Sequence, residues 1–284
     1  MSLGKAKMIK NHEPAACRTS SDIPFLFCLW VIGGVYVVLI LAMLAADVMF
    51  TSPGHLWDAL KSREIQYAIQ LSLLSCTLTT ILSLWVSVPI GYLMSHFQFP
   101  GKRWIDAVLD IPIVLPPLVI GLSLLILFQT PAGKWIESYV PVTYEIPSVI
   151  LAQFMVACAF AVRTMGAAFD QLNPRREQVA LTLGCSRAQA FWWVVLPETR
   201  RGLLTAGTLA WARSLGEFGP ILVFSGATRM KTEVLPTTVF LELSVGNIEA
   251  AVAVSLLMVA AAMIVLVVVR IYGIEQSLGR FLQP

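Results

Sequence analysis

The sequence predicts an all-α integral membrane protein with six transmembrane helices, and three observations carry that prediction. Of its 284 residues 57% are hydrophobic and only 13% are charged, where a soluble domain carries about 25% charged residues. Six apolar runs are each long enough to cross roughly 30 Å of hydrocarbon. Between the fourth and fifth runs lies a polar segment with the start and stop signals of two short helices, a structured elbow outside the membrane.

The elements follow in order. Residues 1–24 are polar and basic and are expected to be poorly ordered. Phe25 to Ala46 hold no charge over 22 residues. The apolar region of a signal peptide is about 7–15 residues long, so this run reads as the first span. The second runs from Gln66 to Met94 with Pro89 near its end, the third from Trp104 to Phe128, and the fourth from Ser148 to Phe169. Beyond the elbow, the fifth spans Gly202 to Phe224 and the sixth Ile248 to Ile271, and residues 276–284 form a tail. Residues 231 to 246 are too short and too polar to span, and are expected to form an outer loop with a short helix leaning into a pathway mouth. Six spans put both termini on one side. Lys5, Lys7, Lys10, Arg18, Lys102, Arg103, Arg175, Arg176, Arg187, Arg200, Arg201, Arg270 and Arg280 fall on that side, against Lys61, Arg63, Lys134, Arg229 and Lys231 on the other. Cytoplasmic loops carry the excess of Lys and Arg, so the termini and the elbow are expected in the cytoplasm.

The elbow, residues 173–197, is specified residue by residue. Asn173 is a good N-cap, and Pro174 sits at the first helical position, where its missing N–H costs nothing. Val179, Ala180 and Leu183 recur at helical spacing on one face. Gly184 is a left-handed stop. Ser186 and Gln189 make a capping box that starts a second helix at once, and Pro197 marks where that helix must stop or bend. Glu177, near the first helix's N-terminus, is favoured by the dipole and is expected to meet a basic group on a partner. A DNA-reading role is set aside: the elbow is tethered to spans at both ends, and a recognition helix needs access to a groove.

The chemistry the sequence lacks narrows the function. Gly-Lys occurs at Gly4, Gly101 and Gly133, each without the upstream glycine and following Ser/Thr of a phosphate-binding loop. Five scattered cysteines (Cys17, Cys28, Cys76, Cys158, Cys185) show no paired spacing, and His12, His55 and His96 no metal-ligand pattern. An intramembrane enzyme has no nucleophile–base pair to work with. A transporter driven by ATP would need the ATPase on another chain, and the elbow is the docking element this sequence offers. A secondary transporter, the alternative of a different class, would explain intramembrane charge but not the capped elbow.

Inside the predicted fifth span Arg213 and Glu217 are four apart and share a helix face. Such residues pair with one another or mark an ion pathway, and both readings stand. Arg163 is expected to snorkel to the nearer interface or to meet a structural partner, and Asp106 and Asp110 to be interfacial. Pro116-Pro117 and Gly216-Glu217-Phe218-Gly219-Pro220 break their helices. Half-helix ends at mid-depth bind ions through backbone dipoles, or are simple packing kinks.

Glu177, Ala180, Gly184, Val194, Leu196 and Pro197 together resemble the coupling-loop motif of ABC importer permeases, with Val179 where an alanine is common. Asp110 to Gly121, with its prolines, resembles the third span of molybdate, tungstate and sulfate permeases. Trp211-Ala-Arg-Ser-Leu-Gly-Glu-Phe-Gly219 resembles the fifth-span signature of the molybdate group. The resemblance covers about residues 60–275 and implies a type I importer permease fold in the plasma (inner) membrane. It implies a homodimer, two ATPase subunits that use ATP and Mg, and an extracytoplasmic binding protein; this chain would hold no cofactor and bind no nucleic acid. Glu177, Val179, Ala180, Leu183, Gly184, Ser186, Val194, Leu196 and Pro197 would couple to the ATPase. Arg213, Ser214, Glu217 and Gly219, with Pro116 and Pro117, would line the pathway of molybdate or tungstate, sulfate or another anion being the alternative.

Overall fold

The computed structural model describes residues 23–281, with side chains from 25 to 268 except at positions 53, 55 and 58. Residues 1–22 of the basic N-terminal segment lie outside the described residues. The chain divides into two units at Phe50. The first contains helix α1 (Ile23–Phe50). Its apolar stretch buries no side chain and Trp30 is 79% exposed, as expected of a helix that is hydrophobic all round and meant for lipid.

The second unit starts with α2 (Pro53–Lys61) and α3 (Arg63–His96), then α4 (Lys102–Val114), α5 (Pro117–Gln129), α6 (Pro131–Glu137) and α7 (Ile146–Asp170). The elbow follows as α8 (Pro174–Thr182), α9 (Arg187–Ala190), a π-helical turn over Phe191–Val195, and α10 (Leu196–Glu198). Then come α11 (Arg200–Leu215), α12 (Gly219–Phe224), α13 (Leu235–Ser244) and α14 (Ile248–Phe281). Among the described residues there is no strand.

Helices α3 and α7 pack along each other, and α11 lies against both. The seam is built from small residues. On α3 these are Ser72, Ser75, Cys76, Thr79, Ser83, Ser87 and Gly91, recurring every three or four positions and buried. On α7 they include Ala152, Ala157 and Ala161, the last two clustered with Ala210 of α11. A Cβ on Gly91 would sit 3.0 Å from the Gly166 nitrogen. Close backbone approach through small side chains is how helices associate where lipid removes the hydrophobic drive between them.

Among the described residues four helices are individually long and apolar enough to cross a membrane: α1, α3, α7 and the Ile248–Val268 stretch of α14. The other two predicted spans are corrected. The third is two helices, α4 and α5, bent by 111°. Leu115 and Pro116 each precede a proline and are extended, with ψ of 140° and 134°, because a following proline disfavours helical backbone. The fifth stops at Leu215 after 16 residues, turns over Gly216–Phe218, and resumes as the six-residue α12 with Pro220 in its first turn. The sixth helix runs past the predicted end to Phe281. Helix α13 forms inside the predicted outer loop and packs on α14.

Candidate functional site

The elbow folds as its caps dictate. Asn173 accepts a hydrogen bond from the Arg175 amide at 3.1 Å. Gly184 has φ +92°, the left-handed backbone that glycine adopts without penalty. Ser186 accepts from the Gln189 amide at 3.3 Å, while the Gln189 side chain accepts from the Ser186 amide at 2.8 Å. The second helix does not end at Pro197. The chain widens into the π turn, accommodates Pro197 in α10, and breaks at Thr199.

The face of the elbow divides differently from the sequence reading. Val179 and Leu183 stand out, 56% and 80% exposed, while Ala180 is buried. Positions four apart share a face, and Ala180 lies about 100° round from Val179. Val194 and Leu196 are half-buried and Pro197 is exposed. Val195, which the motif does not contain, is buried with Met165, Phe169 and Ala206 and anchors this run to the body.

Glu177 is turned inward. Tyr92 donates its hydroxyl to Glu177 Oε1 at 2.7 Å, and His96 Nε2 lies 3.3 Å from Oε2. The carboxylate expected to reach a partner's basic group is taken up by the end of α3. Arg176 pairs instead with Glu198, tying α8 to α10.

Arg213, Glu217, Arg163, Asp106 and Asp110 are all engaged. Arg213 Nη1 lies 3.0 Å from Glu217 Oε2, with Glu217 enclosed and Arg213 30% exposed. The guanidinium also sits 5.7 Å from the Phe160 ring. Of the two readings of Arg163, the structural partner is the one present: it bridges Asp110 and Asp106, donating to Asp106 Oδ1 at 2.6 Å, and so ties α7 to α4. Ser214 donates to the Ala210 carbonyl, and its own carbonyl accepts from Gln153 Nε2 at 3.2 Å. Gln153 Oε1 in turn accepts from Thr79 at 3.2 Å. Gln153 thus pins α3, α7 and α11 at mid-length. The sequence reading missed it, although a lone amide in an apolar span is the signal that would have found it.

The two helix breaks meet. A Cβ on Gly219 would lie 3.0 Å from Pro117 Cβ, and one on Gly121 would lie 2.7 Å from Pro220 Cα. The starts of α5 and α12 therefore touch backbone to backbone, with Pro116 and Pro117 on one side and Gly219 and Pro220 on the other. At the end of the bundle away from the elbow, Arg229 bridges Glu64 and Glu242, and Lys231 pairs with Glu145. Glu233 is fully buried there, and neither carboxylate oxygen has a hydrogen-bond partner. Among the described residues no three His, Cys, Asp or Glu side chains are grouped to hold a metal.

Residues 87–274 match the family described as binding-protein-dependent transport system inner membrane component. The chain is 32% identical over 238 residues to the sulfate transport system permease protein CysT of Salmonella typhimurium, covering 81% of this chain and 86% of that one. It is 31% identical over 248 residues to the molybdenum transport system permease protein ModB of Mycobacterium tuberculosis, covering 86% and 93%. Among solved structures it superposes on a chain of a bacterial alginate ABC transporter, captured with its alginate-bound periplasmic protein, with TM-score 0.69 at 16% identity over 89% of this chain and 96% of that one.

Proposed function

We propose, on the premise that this chain belongs to the binding-protein-dependent transport system inner membrane components, that it conducts a tetrahedral oxyanion, molybdate or tungstate, into the cell. The chain is an all-α, multi-pass inner-membrane permease subunit of an ABC importer, with no ATPase site of its own. A secondary transporter is thereby set aside. In the proposed assembly two copies pair, and each elbow seats in an ATPase subunit that holds the ATP and Mg. The exposed Val179 and Leu183 supply the seat. A binding protein outside the membrane delivers the anion and makes the fine selection. Both termini and the elbow face the cytoplasm. Closure of the ATPases on ATP drives the elbows together and opens the pathway outward, and hydrolysis resets it.

One observation carries the substrate class. Arg213, in the string that resembles the molybdate permeases, keeps its side chain 30% exposed just before the α11–α12 break. A guanidinium is always charged and presents a rigid fork of donors that suits oxyanions. The sulfate relative supports sulfate as the second reading.

The test is ATP-dependent uptake of radiolabelled molybdate, tungstate and sulfate by the complex in vesicles. Molybdate and tungstate should accumulate and compete with each other. Accumulation of sulfate alone would establish the second reading. Combining Arg213→Glu with Glu217→Arg keeps the pair but reverses its polarity, and uptake should be lost in assembled complex. Full activity of that variant would leave the pair a purely structural tie.

A further inference from the structure

We infer that Tyr92 and His96 are the positioning residues that fasten the coupling elbow to the membrane body, and that α3 carries the elbow's displacement to the loop at its far end. This rests on the reading of the elbow as the ATPase contact and adds which residues transmit the movement.

The elbow has two faces with different tasks. Val179 and Leu183 are exposed, so the outward face stays free to dock. Glu177 lies on the inward face, and each of its oxygens meets a different side chain from 85 and 81 residues away, Tyr92 at 2.7 Å and His96 at 3.3 Å. Hydrogen bonds to an ionised group are the strong ones. The site is enclosed by rings: Tyr92 stacks at 4.5 Å from His96, 4.8 Å from Phe191 and 5.7 Å from Phe169. Arg187, which opens α9, sits over Phe97 at 5.7 Å. The covalent link from α7 to α8 is only the non-helical stretch 171–173. A short link of that kind leaves the direction of α8 to its side-chain contacts, and Glu177 is the contact that reaches α3.

Helix α3 then runs without a break from the elbow to the opposite end. Its 34 residues make a rod of about 50 Å. At that far end three of its side chains hold the loop before α13 and the start of α13 itself. Glu64 pairs with Arg229. Tyr67 donates to the Lys231 carbonyl at 3.0 Å. Ser72 accepts from the Leu235 amide at 2.8 Å. Pro89 removes one backbone hydrogen bond near the elbow end, but the helix continues through it, and polar ties at both ends of one continuous helix move the far loop when the elbow moves.

The experiment uses the whole complex, with its ATPase and binding protein, in vesicles. Tyr92→Phe keeps the ring packing and removes the donor, and His96→Phe likewise keeps a ring at this place without a donor for Glu177. In the double variant the ATPase should co-purify as in wild type and basal hydrolysis should persist. Molybdate or sulfate taken up per ATP should fall about tenfold, the scale of losing a hydrogen bond to a charged group. A fold defect lowers abundance but not this ratio. In a Glu177→Ala background the two changes should add nothing further, since their partner is gone. An unchanged uptake-to-hydrolysis ratio in the double variant, or losses that simply add to that of Glu177→Ala, would overturn the proposal. Leu183→Asp tests the underlying reading separately: it should release the ATPase, and retention would sink the elbow as docking site while leaving the Tyr92–His96 result to stand by itself.

Discussion

Glu233 is a carboxylate the fold keeps from water and gives no hydrogen bond. Burial pushes its pKa up, against the smaller opposing pulls of the Thr238 hydroxyl and Arg229. The folded chain therefore holds a proton that the unfolded chain gives up as pH rises past the ordinary Glu value of about 4.3. The unfolded state then binds fewer protons than the native one, so stability falls with rising pH from that value up to the raised one. Glu233→Gln removes the titration. In detergent it should melt above wild type at about pH 8, and the gap should close toward about pH 4. A constant gap across that range would mean Glu233 is ionised in the fold. The sequence marked Arg213 and Glu217 because charge inside an apolar run is conspicuous. It left Glu177 facing a partner and Arg163 between snorkelling and an unnamed partner, because Tyr92, Asp106 and Asp110 lie 85, 57 and 53 positions away. Local pattern carries no information about pairing at such separations.

Helices that begin or end on proline, glycine or a capping hydroxyl were legible, since those signals act within one turn. The elbow's capping box and its left-handed Gly184 are the clearest cases. The angle at a break was not legible: Pro116-Pro117 announces an interruption but not a bend of 111°, which depends on what α5 packs against. That neighbour is α12, and Gly121 is where they touch. A Cβ there would meet the Pro220 backbone at 2.7 and 2.8 Å, which has no side-chain freedom to retreat. Gly121→Ala should lower stability by about 1–3 kcal/mol, the cost of overpacking, and reduce uptake. Gly207→Ala is the control. Its Cβ would meet side chains rather than backbone, Leu84 at 3.3 Å and Thr80 at 3.9 Å, and Ala favours a helix over Gly by up to about 1 kcal/mol. Equal melting temperatures for the two variants would show that the α5–α12 approach is not tight.

At the scale of the whole chain, hydropathy found the helices that are, among the described residues, long and apolar enough to cross a membrane, but it counted the broken pairs α4–α5 and α11–α12 as whole spans. Orientation follows from charge asymmetry alone and is open to direct labelling. Arg103, Arg187, Lys134 and Lys231 are all exposed. Single cysteines at the first two positions, in a chain stripped of its native cysteines, should be shielded from an impermeant thiol reagent in intact cells. Those at the last two should react. The reverse pattern would turn the elbow outward and separate it from any cytoplasmic ATPase. The small-residue seam between α3 and α7 has a further consequence, in conformational entropy. Burying Gly or Ala freezes no rotamers, whereas a Met or Gln loses up to about 2 kcal/mol of side-chain freedom. The longest interface in the body is lined on the α3 side mainly by Ser, Thr, Cys and Gly, so α3 gives up little side-chain freedom on packing, and the entropic cost of the contact falls on α7, which buries Gln153 and Met165.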